Sequence, residues 1–208
     1  TLKMRTGWCQ QHKNAVPLAR RFEAAGIQML TVHGRTREQG YKGEAEYDTI
    51  AAVKAAVRVP VVANGDITSP EKARAVLAAT GADALMVGRA AQGRPWIFRE
   101  IGHYLATGEH LAPPLVAEVQ RLLLDHLQDH YQLYGEATGV RSARKHIAWY
   151  VRALPGGEAL RQHINTIEDC AAQWQAVQAY FAALGQRMDR LPATAAATLH
   201  EEQEGFCA

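Results

Sequence analysis

The sequence predicts an α/β fold, the C-terminal half of a (β/α)8 TIM barrel followed by an all-α helical bundle domain. Short apolar runs alternate with amphipathic stretches up to about residue 105, where strand signals stop and helical periodicity takes over. Consecutive βα units form right-handed parallel sheets, which favours a barrel-like first part. Only four strands are indicated, whereas a closed barrel needs eight. The expected first domain is therefore half of a barrel, over residues 1–105.

Four apolar runs have the length and continuity of buried parallel strands. They are Leu2 to Arg5, Met29 to Val32, Val59 to Ala63 and Ala84 to Val87. The helices expected between them are Val16 to Ala25, Tyr47 to Ala56 and Pro70 to Thr80. The last of these helices has the clearest end signals, with Ser69 as N-cap, Pro70 at the first position and Gly81 just beyond the end.

A second domain, helical throughout, is expected over residues 106–190. Pro113 and Pro114 introduce it, and two apolar stripes with helical spacing follow. The first stripe is Leu115, Val119, Leu122, Leu123, Leu127 and Tyr131; the second is Ile167, Cys170, Ala171, Trp174, Val177, Phe181 and Leu184. Residues 191–208 lack periodicity, which predicts a disordered tail.

Composition narrows the class of protein. No apolar run approaches the roughly 20 residues that span a bilayer, and the polar start is unlike a signal peptide, so a cytoplasmic location is expected. Cys9, Cys170 and Cys207 are odd in number and widely spaced, which predicts reduced thiols rather than disulfides or a zinc site. A net charge of +2 does not by itself indicate nucleic-acid binding.

Phosphate-binding chemistry follows the last two strands. Asn64, Gly65 and Asp66 end the third strand, and Gly88 and Arg89 end the fourth. In parallel barrels the loops after the last two strands hold phosphate groups, because glycines admit the ligand close to the backbone and an arginine adds a charged fork. The pair therefore predicts a phosphorylated cofactor, although a short Asn-Gly-Asp segment is also typical of a simple turn.

Cationic and titratable side chains accompany the first two strands. Lys3 lies inside the first strand, where it could neutralise an anionic ring such as reduced flavin, or simply be solvated at a strand end. His33 follows the second strand and could hydrogen-bond the cofactor or be a structural histidine. In the loop that follows, Arg35, Arg37 and Lys42 could meet a polyanion or remain solvated.

The helical half carries a basic face. Its members Arg141, Arg144, Lys145 and Arg152 share one arc of a helix, and such a face can bind RNA phosphates or be merely solvated. His126 and His130 have the i, i+4 spacing of zinc ligands, but without a third ligand in the pattern they are expected to be core or interface histidines. No metal site is predicted.

Several motifs in order resemble the tRNA-dihydrouridine synthases, most closely the bacterial B subgroup. They are Lys3–Trp8, Thr31–Thr36, Ala63–Ile67 and Met86–Trp96, and Arg141–Tyr150 resembles the helical-domain signature of that family. The resemblance extends from residue 1 to about residue 185. It implies a flavin-dependent oxidoreductase, an FMN-containing barrel that uses NADPH to reduce a uridine of the tRNA D-loop to 5,6-dihydrouridine, with position 17 suggested by the subgroup.

The resemblance also implies residue roles. It places Lys3 at the flavin ring and His33 as a further flavin contact. Around the ribityl phosphate it places Asn64, Gly65, Asp66, Gly88 and Arg89. In the helical domain it makes tRNA contacts of Arg141, Arg144 and Lys145.

One family feature does not occur in the 208 residues, the Asn-x-Gly-Cys-Pro-like loop whose cysteine is the general acid. No catalytic residue is therefore assigned, and the isolated chain is expected to be inactive. Two alternatives stay open at this point. The chain could be a non-catalytic RNA-binding module, or it could belong to another FMN or sugar-phosphate barrel enzyme that acts on a small molecule. The sequence sets no oligomeric state.

Overall fold

The structure, a computed structural model, describes residues 1–192, which form two compact units. The first unit comprises Thr1–Ala91 and Ile97–His110, and the second comprises Gln92–Trp96 and the described residues from Leu111 onward. The expected domain boundary at residue 105 lies inside a helix of the first unit. Within residues 1–192, no helix has both the length and the apolar character that a bilayer crossing requires.

The first unit is an α/β unit with a parallel sheet, as the sequence predicts. Its strands pair in the order β1-β2-β3-β4, and they are β1 (Leu2–Arg5), β2 (Leu30–His33), β3 (Val61–Asn64) and β4 (Ala84–Met86). Its helices are α1 (Ala15–Ala24), α2 (Asp48–Ala56), α3 (Pro70–Thr80) and α4 (Ile97–Thr107), and a 3₁₀ turn covers Arg89–Ala91. Compared with the prediction, β2 and β3 start later and include His33 and Asn64 as their last residues.

Alternation along the strands separates two faces of the sheet. Leu30, Val32, Val61 and Ala63 are fully buried in the core that the helices cover. The residues between them form two rows on the other face, Lys3, Thr31, Val62 and Ala84 in one and Arg5, His33, Asn64 and Met86 in the next. The expectation that all four strands are buried is wrong for β1 and β4, where Lys3, Ala84 and Met86 are exposed.

Helix α3 begins and ends as its sequence predicts. The Ser69 hydroxyl accepts a hydrogen bond from the Lys72 backbone N–H at 3.1 Å, and Pro70 occupies the first turn. Gly81 ends the helix with φ 62°, a left-handed conformation that glycine adopts at little cost. These ends fix where β4 starts, three residues after Gly81.

The second unit consists of helices packed around an apolar core. Its helices are α5 (Val116–Tyr134), α6 (Glu136–Val151), α7 (Gly157–Ile164) and α8 (Cys170–Gly185). The stripes expected from the sequence supply much of this core, including Val119, Leu123 and Leu127 from α5 and Val177, Phe181 and Leu184 from α8. Leu115 and Ala171 are exceptions, because both are exposed.

One residue, Gly135 with φ 71°, joins α5 to α6. A few residues on, Gly139 lies so close to α5 that an added Cβ would be 3.2 Å from the Tyr131 ring. The two helices therefore turn back on each other at a single glycine.

The expected tail is only partly described. Leu191 is buried, and its backbone N–H donates to the Pro114 carbonyl at 3.0 Å. Leu191 is therefore packed as part of the second unit. The rest of the expected tail, residues 193–208 with Cys207, lies outside the described residues.

Candidate anion site at the strand ends

The Asp66 carboxylate is the centre of the polar network after β3. It accepts hydrogen bonds from both terminal nitrogens of Arg35 at 2.8 Å each, and from the Ala45 backbone N–H at 2.8 Å. Arg89 approaches it more loosely, at 3.4 Å. Asp66 itself has φ 48°, an uncommon conformation for a residue other than glycine, so the turn aims this carboxylate at the arginines at some conformational cost.

The charge of Asp66 is matched inside the unit. Burial acts to raise the pKa of Asp66, but the Ala45 N–H and the Arg35 guanidinium outweigh it, and the net pKa lies below the ordinary value. Arg35 is 3% exposed and also donates to the Gly43 carbonyl. The suggestion that Arg35 binds a polyanion is therefore wrong, because its buried guanidinium is hydrogen-bonded to Asp66. Arg37 and Lys42 remain exposed in the same loop.

The glycines of the two strand ends differ in the space around them. A Cβ on Gly65, whose φ is 130°, would lie 2.6 Å from the Ala45 Cβ and 3.2 Å from the His33 ring. A Cβ on Gly88 would meet nothing within 4 Å. Asn64 ties the two ends together, because its side-chain amide donates to the Met86 carbonyl at 2.8 Å. Gly65 is thus needed for packing, while open space lies beside Gly88.

Two arginines flank one aromatic ring at this end of the sheet. The guanidinium carbons of Arg89 and Arg5 lie 5.0 Å and 6.0 Å from the centroid of Tyr41, which is 52% exposed. Arg5 also donates to the carbonyls of Thr36 and Gly40, at 2.7 Å and 2.9 Å. Sequence reasoning missed Tyr41, which lies in a loop without periodicity. Arg5 could have been found, because it shares a strand face with Lys3.

His33 is neutral at neutral pH. Burial lowers its pKa to about 4, helped by the charges of Arg5, Lys3 and Arg35, while Asp66 acts in the opposite direction. Lys3, exposed on the same face, has a pKa lowered by partial burial and by Arg5. Among residues 1–192 no carboxylate forms an ion pair with Lys3 or Arg5. This face thus presents uncompensated positive charge to any ligand, which suits an anion.

The basic face expected in the second unit is divided by burial. Arg141 and Lys145 are exposed, one turn apart on α6, and the Lys145 ammonium lies 5.9 Å from the Trp149 ring. Arg144 is partly buried and donates to the Ile167 carbonyl at 2.9 Å. Arg152 is partly buried as well. Two of the four cations are therefore presented to solvent, and Arg144 ties α6 to the segment before α8.

The histidines of α5 gain a third neighbour that sequence reasoning missed. His126 and His130 meet His146 of α6, and the nearest ring nitrogens of the three all lie within 4.8 Å of one another. The signal was weak because the third histidine comes from another helix. Cys9 and Cys170 are free thiols, as expected, and the Cys9 sulfur lies 3.0 Å from Nδ1 of His12.

A family model and the curated proteins similar to this chain agree on one family. A family model described as dihydrouridine synthase (Dus) matches residues 1–185. The chain is 58% identical to the tRNA-dihydrouridine synthase B of Pseudomonas putida over 189 residues, which is 91% of this chain and 56% of that protein. It is also 58% identical to the proteins of the same description from Pseudomonas aeruginosa (88% of this chain, 55% of that protein) and Salmonella typhimurium (87% and 56%).

The chain thus spans about half the length of the curated relatives it matches. Among solved structures, wild-type GGGPS from Thermoplasma volcanium is 16% identical, with a TM-score of 0.36 over 53% of this chain and 50% of that one. A likeness of that size does not establish a common fold.

Proposed function

Because the chain belongs to the dihydrouridine synthase family, we propose that it carries the phosphate side of an FMN site. The enzyme we infer reduces a uridine of tRNA to 5,6-dihydrouridine with NADPH as electron donor. One observation carries the proposal. Arg5 ends β1 and Arg89 follows β4 at the carboxyl end of a parallel sheet, where ligands of such sheets bind, and both lie near the Tyr41 ring. Lys3 lies on the same face of β1 as Arg5, and neither has a carboxylate partner among residues 1–192.

The residues present fit a phosphorylated flavin. Open space beside Gly88 admits a phosphate close to the backbone, and Arg89 is held only weakly, at 3.4 Å from Asp66, so it can turn to an anion. We assign phosphate contacts to Gly88, Arg89 and the backbone of Gly65. Asp66 would repel a phosphate, and its role in this proposal is to hold Arg35 in place.

Bound FMN would supply the hydride chemistry of the reaction. Lys3 would offset negative charge on the flavin ring, and neutral His33 would offer it one hydrogen bond. Asn64 would position the two strand ends through its bond to the Met86 carbonyl rather than contact the ligand. The Asn-x-Gly-Cys-Pro-like loop does not occur in the 208 residues, so we propose that this chain by itself does not turn over.

Flavin binding tests the cofactor assignment. Titration of FMN into the chain should quench flavin fluorescence, and Arg89→Ala and Lys3→Ala should each weaken binding about tenfold, as loss of a charge-assisted contact does. Arg58→Ala is the matched control, because Arg58 is exposed and precedes β3 at the opposite end of the strand. Equal affinity in all four proteins would reject these assignments.

Activity tests the reaction. With FMN, NADPH and unmodified tRNA, the 208-residue chain should form no dihydrouridine, detected as a nucleoside two hydrogens heavier than uridine. A hybrid that joins this chain to the unmatched part of the Pseudomonas putida relative should form it, and Lys3→Ala should lower the amount formed when FMN is limiting. Product from the 208-residue chain would contradict the proposed inactivity.

The exposed pair Arg141 and Lys145 supports tRNA binding by the second unit. The double variant Arg141→Glu/Lys145→Glu should weaken tRNA binding and make the slope of log affinity against log salt shallower by about two. Arg121→Glu, an exposed change on α5, is the control. If tRNA binding follows this pattern while FMN does not bind at all, the second candidate function, a non-catalytic RNA-binding module, would be favoured.

A further inference from the structure

We propose that His126, His130 and His146 form a transition-metal site of the kind that binds Zn²⁺, and that the metal clamps α5 to α6. The site lies within the second unit and shares no residue with the strand-end site. It joins two ligands from one helix with a third from its neighbour. Nothing in the proposed reaction uses these three residues.

The distances suit a site that a metal would draw together. The nearest ring nitrogens of the three histidines lie within 4.8 Å of one another. Zinc holds imidazole nitrogens at about 2.0–2.1 Å, which places tetrahedral ligand nitrogens roughly 3.4 Å apart. Side-chain rotation can supply the difference, because the ring centroids are 4.9 Å apart for His126 and His146 and 5.1 Å apart for His130 and His146.

Ser142 fixes which nitrogen of His130 is available. The Ser142 hydroxyl donates its proton to the Thr138 carbonyl at 2.6 Å, and Nε2 of His130 lies 2.7 Å from the same hydroxyl oxygen. Since the hydroxyl has one proton, it accepts from Nε2–H of His130. The lone pair is then on Nδ1, and His130 has the outer hydrogen bond that metal-bound histidines commonly make.

The donor set also indicates the class of metal. Three nitrogen donors suit Zn²⁺, Ni²⁺ or Cu²⁺ and do not suit Mg²⁺ or Ca²⁺, which require oxygen. His126 and His146 are partly exposed, so water can complete a four-coordinate site.

Metal titration tests the site in the full chain, prepared without a polyhistidine tag. One equivalent of Zn²⁺ should bind in competition with a chromophoric chelator and raise the Tm. Co²⁺ should give tetrahedral visible bands without thiolate charge transfer, which separates this site from the Cys9–His12 pair. His126→Gln and His146→Gln should each lower Zn²⁺ affinity more than tenfold, while His163→Gln, an exposed histidine of the same unit, should leave it unchanged.

Ser142→Ala keeps all three ligands and releases the tautomer of His130. It should lower Zn²⁺ affinity about tenfold, as loss of an outer-shell partner does. This variant carries the test if a histidine variant fails to fold, which helix content by circular dichroism would reveal. Absence of stoichiometric binding, cobalt spectra dominated by thiolate, or equal affinity in the Ser142 and His163 variants would overturn the proposal.

Discussion

The strand ends of the first unit and the α5–α6 pair of the second gather titratable side chains in different ways. At the strand ends, parallel pairing brings Arg5, His33 and Asn64 into one row, because each ends its strand at the same register. In the helix pair, His130 and His146 meet across a turn. A strand-end site can therefore be found from short motifs, whereas a helix-pair site depends on how two helices are aligned.

A histidine pKa is lowered in each of the two regions, but the causes differ. The pKa of His33 and that of His146 are both lowered to about 4, mainly by burial. The second cause for His33 is the cations Arg5, Lys3 and Arg35, whereas for His146 it is the other two histidines. A bound anion should therefore change the pKa of His33, and a bound metal should change that of His146.

The largest effect is expected in the helical core. Leu127→Ala should lower the free energy of unfolding by about 4 kcal/mol, because the side chain is fully buried and its loss leaves a cavity. Leu133→Ala on the same helix, where the residue is 74% exposed, should change it by less than about 0.5 kcal/mol. Denaturant unfolding measures both. Similar costs for the two would mean that α5 does not present this face to a core.

The next effect is expected at the strand ends. Asp66→Asn should cost about 3 kcal/mol, since it leaves the buried Arg35 guanidinium without its counter-charge. The pKa of Asp66 is depressed in the fold, so its contribution is present above the ordinary pKa of about 3.9 and is lost as the pH falls through the folded value. Unfolding curves at pH 7 and pH 3 should thus differ less in the variant than in the original chain.

Histidine titration separates the two regions directly. The native state resists protonation of both histidines, so their contribution to stability is present above pH 6.5 and is lost as the pH falls towards 4. Inorganic phosphate should raise the pKa of His33 and leave that of His146 unchanged, as read from histidine ring-proton NMR. A rise in the pKa of His146 without a change in that of His33 would show that phosphate does not bind at the strand ends.

The smallest effect is expected at a helix end. Ser69→Ala should cost about 1 kcal/mol of unfolding free energy, because it removes the acceptor for the Lys72 N–H. Ser69→Asp should preserve it, since aspartate also caps helices. A larger loss than at Asp66 would show that local signals matter more here than the buried ion pair.

Much of the first unit could be predicted from local signals. The four strands, their parallel pairing and the ends of α3 follow from apolar runs and from Ser69, Pro70 and Gly81, all of which act over a few residues. Strand ends shifted by one or two residues, because the register between strands and not the apolar run alone decides the last paired residue. The roles assigned to the site residues stay predictions.

What the sequence could not give depends on distant partners. No local signal distinguishes Arg35 from Arg37. Arg35 is buried because it pairs with the Asp66 carboxylate, 31 positions along the chain, whereas Arg37 is exposed to solvent. The shared helical arc of Arg141, Arg144 and Lys145 likewise does not predict that Arg144 donates a hydrogen bond to the Ile167 carbonyl.

The single glycine between α5 and α6 makes this connection intolerant of length changes. Tyr131 and Gly139, which touch, lie equally far from Gly135, and the pairing continues outward to His130 with Ser142 and His126 with His146. One inserted residue would turn α6 by about 100° relative to α5 and disconnect each of these pairs, although both helices could still form. We therefore expect relatives to vary in the residues that line this helical hairpin before they vary in the length of its turn.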